Sequence, residues 1–135
     1  MSTFPLKIVT PDGLIYDDQA ERIIVRTTGG DLAILARHID CVAALGMGLA
    51  TVVTAEGTRR YAACIGGMLS VQNGEVTLVP TTFEWAETID AARAQASMDR
   101  AEKVLKNKDA SSTEIQLAEA RLHRALVRKS VASYK

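Results

Sequence analysis

Gly66-Gly67-Met68-Leu69-Ser70-Val71-Gln72-Asn73-Gly74-Glu75-Val76-Thr77-Leu78-Val79-Pro80 is the stretch that decides the fold. Leu69 and Val71, then Val76 and Leu78, alternate with more polar neighbours on either side of Asn73-Gly74. Two short strands each turn one face to a core and fold back through a two-residue turn. Upstream the same grammar repeats. Leu6 and Ile8, then Ile23 and Val25, alternate in the same way, and Asp12-Gly13, Gly29-Gly30, Glu56-Gly57 and Gly66-Gly67 punctuate the runs as hairpin turns do. No segment before Pro80 has room for crossover helices. About ten antiparallel strands of this length must hide their edges, and the expected solution is an all-β sandwich of two packed sheets or a flattened barrel.

After Pro80 the composition changes: Gly and Pro vanish, and Ala, Glu, Lys, Arg and Leu take over. Thr88 is the expected N-cap of a first helix reaching about Asn107, and Ser111 with Glu114 three residues later is a capping-box signature for a second. The short polar turn Asn107 to Ala110 makes them antiparallel neighbours. The expected organisation is therefore a sandwich over residues 1–86 and an α-helical hairpin over 87–135. Ala91, Ala94, Met98, Ala101 and Leu105 mark the seam of the first helix, and Ile115, Ala118, Leu122 and Ala125 that of the second. Small seam residues bury little area, so at about 25 cal/mol per Å² the hairpin is expected to be weakly held.

A net charge of zero conceals a division. Residues 1–87 hold six Lys/Arg against ten Asp/Glu, a net −4, and residues 88–135 hold ten against six, a net +4. The basic tail suits anions or acidic surfaces. Nucleic acid is not expected as the partner, because the sandwich is acidic and Trp85, the tyrosines and the phenylalanines are not interleaved with the arginines. Apolar runs stay well short of the roughly 18 residues of a membrane span, so no direct membrane insertion is expected. Cys41 and Cys64 have no metal-ligand spacing, and Cys64 reads as a small buried apolar residue. His38 and His123 lie in different halves, and no catalytic triad can be assembled around them. No phosphate loop and no zinc pattern is present, so a non-catalytic protein is expected, with no metal site.

Arginine spacing is the informative feature of the tail. Arg93 and Arg100, seven apart, share a helix face, and Arg121, Arg124 and Arg128 follow the three-then-four spacing of a single face. Antiparallel pairing can bring several guanidiniums to one flank, where phosphate oxygens suit them. The same spacing also fits a solvated surface with Asp90, Asp99, Glu114 and Glu119 as counter-charges.

Val9-Thr10-Pro11-Asp12-Gly13, Gly30-Asp31-Leu32-Ala33-Ile34-Leu35 before His38, Gly66-Gly67-Met68-Leu69-Ser70-Val71 and the helical tail, in that order, make the chain resemble the epsilon subunit of bacterial F-type ATP synthases, called delta in mitochondria. The resemblance implies a ten-stranded sandwich that grips the gamma subunit and sits on the c-ring, at the cytoplasmic face of the bacterial plasma membrane as a peripheral protein. It implies a switch in which the hairpin folded against the sandwich lets the rotor turn. Extended, its second helix enters the catalytic head of alpha and beta subunits and inhibits ATP hydrolysis. Ile89-Asp90-Ala91-Ala92-Arg93-Ala94 is similar to the I-D-x-x-R-A motif with which some members bind ATP. Carried over by position, that regulatory site implies Glu84, Asp90, Arg93, Arg100, Arg124 and Arg128, with no cofactor required and ATP as a regulatory ligand.

One stretch departs from the family. Members commonly read G-I-L-P-G-H-A-P where this chain has Ala33-Ile34-Leu35-Ala36-Arg37-His38-Ile39-Asp40. The loop faces the rotor ring in the family, which implies Asp31 and His38 as ring contacts. Two other readings are a purely structural coupling subunit and a free-standing ATP-sensing module.

Overall fold

The computed structural model describes residues 2–134 and divides into two compact units, one ending at Trp85 and the other starting at Ala86. Nine strands form the first: β1 (Phe4–Thr10), β2 (Gly13–Thr27), β3 (Gly30–Leu35), β4 (Cys41–Ala44), β5 (Met47–Thr54), β6 (Arg59–Ile65), β7 (Met68–Gln72), β8 (Glu75–Val79) and β9 (Thr82–Trp85). They follow the order β4-β7-β8-β1-β2-β5-β6-β9, with β3 also paired to β2. The first half of the long β2 pairs with β1, and its second half pairs with β3 and β5. A register shift between Ala20 and Arg22 marks the change, and an irregularity there bends the strand, so that β2 serves both layers of a sandwich.

Period-two patterning accounts for the core. Phe4, Leu6, Ile8, Ile23, Val25, Ile34, Val52, Leu69, Val71, Val76 and Leu78 are buried together, while Lys7 and Pro5 on the other face of β1 are exposed. Each fully buried Leu or Ile contributes about 1.5–3 kcal/mol relative to exposure. The turns close with side chains as well as backbone. Thr10 Oγ1 accepts from Asp12 N at 3.2 Å, and Thr27 Oγ1 repeats the device by accepting from Gly29 N at 3.1 Å.

Two strand-level expectations are modified. All strand pairs are antiparallel except β1–β8, which is parallel with Leu6 opposite Val76; no hairpin joins strands so far apart in the chain, so packing alone sets their direction. Gly66-Gly67 is not a hairpin turn. It carries the chain from β6 to β7, which pair with different neighbours. Gly67 has φ +97°, and a Cβ there would lie 2.6 Å from Pro80 Cα, so only glycine fits.

The second unit begins with a short 3₁₀ turn (Ala86–Thr88), followed by α1 (Ala91–Lys106) and α2 (Ser112–Ala132), which pack against each other as a hairpin. The N-cap of α1 is Asp90, not Thr88. Thr88 is spent in the 3₁₀ turn and Ile89 is buried, so the first free cap falls to Asp90, whose Oδ1 accepts from Arg93 N at 3.0 Å. Ser111 and Glu114 form the reciprocal capping box of α2. Ala94, Met98 and Ala101 are buried on α1, as are Ala118 and Ala125 on α2, but Ala91 is exposed because it opens the helix.

Candidate functional site

Antiparallel packing of α1 and α2 creates a groove of about 600 Å³. Lys129 Nζ donates to Gln95 Oε1 at 2.6 Å and marks the register at one end. Ala101, Val104, Leu117 and Ala118 supply its apolar lining, with Ser97 on α1. Its charge comes from Arg100 on α1 and from Arg121, Arg124 and Arg128 on α2, against the single carboxylate of Glu114. The steps of three and four residues along α2 keep the three arginines on one face. Among the described residues, Arg100, Arg121 and Arg124 form no ion pair. Unneutralised guanidiniums this close repel one another, and an anion with several oxygens relieves the repulsion while accepting paired hydrogen bonds.

Of the six residues implied for a nucleotide site, the groove gathers Arg100, Arg124 and Arg128. Asp90 and Arg93 stand at the start of α1, on the other side of Gln95 from the groove, and the Asp90 carboxylate is engaged as the helix cap. Glu84 lies on β9 opposite Ala63, in the sandwich unit. Arg121 also lines the groove, although the resemblance did not nominate it; its place in the three-then-four spacing was the available signal.

Asp31 and His38, each expected as a ring contact, lie toward opposite ends of β3. Asp31 pairs with Arg26 across the β2–β3 hairpin, with a 3.4 Å salt bridge exposed to solvent. His38 follows the opposite end of β3, so the rise from Asp31 to Leu35 alone is about 13 Å. Its Nδ1 lies 2.8 Å from the Ile39 carbonyl oxygen, which can only accept, so Nδ1 carries the proton and Nε2 is left for other partners. The loop is held firmly without the family's prolines: His38 N donates to Leu35 O at 3.3 Å, and Asp40 Oδ1 accepts from Asn73 N at 2.9 Å. Arg37, where family members carry glycine, adopts φ +65°.

The sandwich also presents an apolar row crossing five strands. Ala44 pairs with Met68, and Met68 with Val79; Val9 stands one step past the Ile8–Leu78 pair, and its partner on β2 is Leu14. Leu14 is 59% exposed, and Met68 and Val79 are each 47% exposed. The Thr27–Leu45 bridge puts the β2–β3 turn, and hence Asp31, beside the Ala44 end of the row. A contiguous exposed apolar stripe of this kind is characteristic of a surface that meets another protein.

Comparisons with known proteins cover both units. Residues 3–86 match the family described as ATP synthase, Delta/Epsilon chain, beta-sandwich domain, and residues 87–133 match ATP synthase, Delta/Epsilon chain, long alpha-helix domain. The chain is 44% identical to the ATP synthase epsilon chain of Bacillus velezensis over 132 residues, 98% of each chain. It is 38% identical to that of Ruminococcus albus over 136 residues, all of both chains. Its fold is similar to a chain in the Euglena gracilis mitochondrial ATP synthase (OSCP/F1/c-ring), with TM-score 0.83 and 22% identity over 100% of this chain and 83% of that one. A chain of the Tetrahymena thermophila mitochondrial ATP synthase central stalk and c-ring gives TM-score 0.65 and 12% identity over 95% of each.

Proposed function

This chain belongs to the ATP synthase delta/epsilon chain family, a non-catalytic subunit of that complex, and on that basis we propose that it is a rotor subunit of the central stalk whose helical hairpin restrains ATP hydrolysis and is controlled by bound ATP. The sandwich couples the catalytic head to the c-ring. Its apolar row, Leu14, Val9, Val79, Met68 and Ala44, is the face offered to the gamma subunit, and Asp31 and His38 are the ring contacts that the family resemblance implies. The complex holds it at the cytoplasmic face of the bacterial plasma membrane; no helix among the described residues is long and apolar enough to cross one.

The observation that carries the regulatory part is the groove with four arginines and one carboxylate. Because it is built from both helices, an anion seated in it bonds to α1 and α2 at once and favours the closed hairpin. When the helices separate, the basic face of α2 is released toward the acidic surfaces of alpha and beta subunits. ATP that binds only the closed form stabilises it by RT ln(1 + [L]/Kd), about 2.7 kcal/mol at a hundredfold excess over Kd. That is sufficient to invert the populations of a hairpin whose buried seam is largely alanine. Nothing in the groove activates water, so the nucleotide acts as a signal and is not hydrolysed there.

The purely structural reading is favoured by one observation: Asp90, the acid of the I-D-x-x-R-A motif, caps α1. Two experiments decide between them. Calorimetric titration of ATP into the full chain is expected to give binding at or below millimolar concentration that Arg124→Ala abolishes. Truncation after Glu87 is expected to raise hydrolysis by the assembled enzyme; an unchanged rate with no ATP heat leaves only structural coupling.

A further inference from the structure

On the flank of the hairpin turned away from the arginine groove, one side chain ties the two helices together. Gln95 on α1 accepts from Lys129 Nζ on α2 through Oε1, at 2.6 Å, and donates to Asp99 Oδ1 through Nε2, at 3.0 Å. None of the three is among the residues lining the groove. The rotation of about 100° per residue accounts for this. Lys129 follows Arg128 and Asp99 precedes Arg100, so each is carried round to the other side of the buried seam of Ala94, Met98, Ala101, Ala118 and Ala125. The chain itself joins α1 to α2 between Lys106 and Ser112. Gln95 lies about 17 Å of helical rise from that turn and Lys129 about 25 Å, so their hydrogen bond closes the free end, where separation of the helices begins.

We propose that Gln95, Asp99 and Lys129 form a latch that holds the hairpin closed when the groove carries no ligand. An amide suits this task. Gln95 has an acceptor for the ammonium and a donor for the carboxylate, so the opposite charges of Lys129 and Asp99 polarise one chain of two bonds. Asp99, one turn after Gln95 on the same helix, fixes the direction of the amide and leaves its oxygen for α2. Because the alanine-rich seam buries little area, a single exposed bond at the free end shifts the balance by a measurable factor. Loss of the bond to Lys129, of ordinary net strength, raises the ratio of separated to closed hairpins about three- to tenfold. The consequence for ATP hydrolysis rests on the function proposed above, in which separated helices restrain it; the closure itself does not.

Double electron–electron resonance reads the separation directly. Spin labels at Ala92→Cys and His123→Cys, both exposed and on different helices, are placed in the full-length Cys41→Ser chain, where buried Cys64 stays unlabelled. The measurement is made without nucleotide, in a urea series that carries the labelled chain through separation. Gln95→Met and Lys129→Met keep side-chain length and helix propensity, and each is expected to raise the ratio of separated to closed hairpins about three- to tenfold at fixed urea. The double variant is expected to go no further than either single one, and Asp99→Ala to act more weakly in the same direction. Unchanged distances in both single variants, or effects that simply add in the double variant, overturn the latch. So does a loss of helix by circular dichroism that matches the loss of the short distance, because the helices are then fraying and not separating. In the assembled enzyme the single variants are expected to hydrolyse ATP more slowly. Wider distances with unchanged hydrolysis leave the latch standing and overturn the regulatory reading.

Discussion

Replacing Arg37 with glycine is expected to stabilise the sandwich, an unusual direction for a substitution in a native protein. Arg37 sits in the loop between β3 and β4 with φ +65°, a left-handed conformation that brings Cβ against the following carbonyl. For a residue other than glycine that conformation costs about 1–2 kcal/mol. Glycine removes this cost but adds freedom to the unfolded chain, an opposing term of about 0.4–1 kcal/mol. The Arg37 side chain is exposed and forms no salt bridge among the described residues, so its removal subtracts little. The net gain is about 0.5–1 kcal/mol, or roughly 2–8 °C in Tm for a domain of this size. Thermal denaturation of the full chain, followed through Trp85 in β9, reads the sandwich directly. Arg37→Ala is the control: it also deletes the guanidinium but keeps the Cβ, and should show no gain. If Arg37→Gly melts no higher than Arg37→Ala, backbone strain at this position is not what the loop bears.

Gly67→Ala should destabilise the sandwich by about 3 kcal/mol or more, seen as a lower denaturant midpoint, because the new Cβ meets the Val79–Pro80 backbone and φ is +97°. Burial pushes the Cys64 thiol up to about 12, so at pH 8 iodoacetamide should label the half-buried Cys41 and reach Cys64 only in denaturant. Since the folded value lies above the ordinary 9.0, the stability linked to Cys64 is complete below about pH 9 and declines as pH rises from there toward 12. Asp90→Ala should cost the hairpin about 1 kcal/mol without any nucleotide, through loss of the cap to Arg93 N, whereas Asp90→Asn keeps the cap. Melting followed by far-ultraviolet circular dichroism separates the two variants, and nucleotide titration of Asp90→Asn then isolates what the charge contributes to binding.

Local chemistry made much of this protein legible from its residues alone. Alternation at Leu69, Val71, Val76 and Leu78 and the turn pair Asn73-Gly74 specify a hairpin wherever they occur, and Ser111 with Glu114 closes a capping box within four residues; such signals need no distant partner. Spacing along a helix face supplied Arg100, Arg121, Arg124 and Arg128, and the resemblance named all of these but Arg121. What sequence could not fix were relations across the chain. The parallel pairing of β1 with β8 and the passage of Gly66-Gly67 between two strands with different neighbours follow from which strands pack together, which no local pattern encodes. The cap moved from Thr88 to Asp90 because burial of Ile89 set where the helix begins. Four arginines became one groove only when antiparallel packing, in the register marked by Gln95 and Lys129, laid α2 beside Arg100.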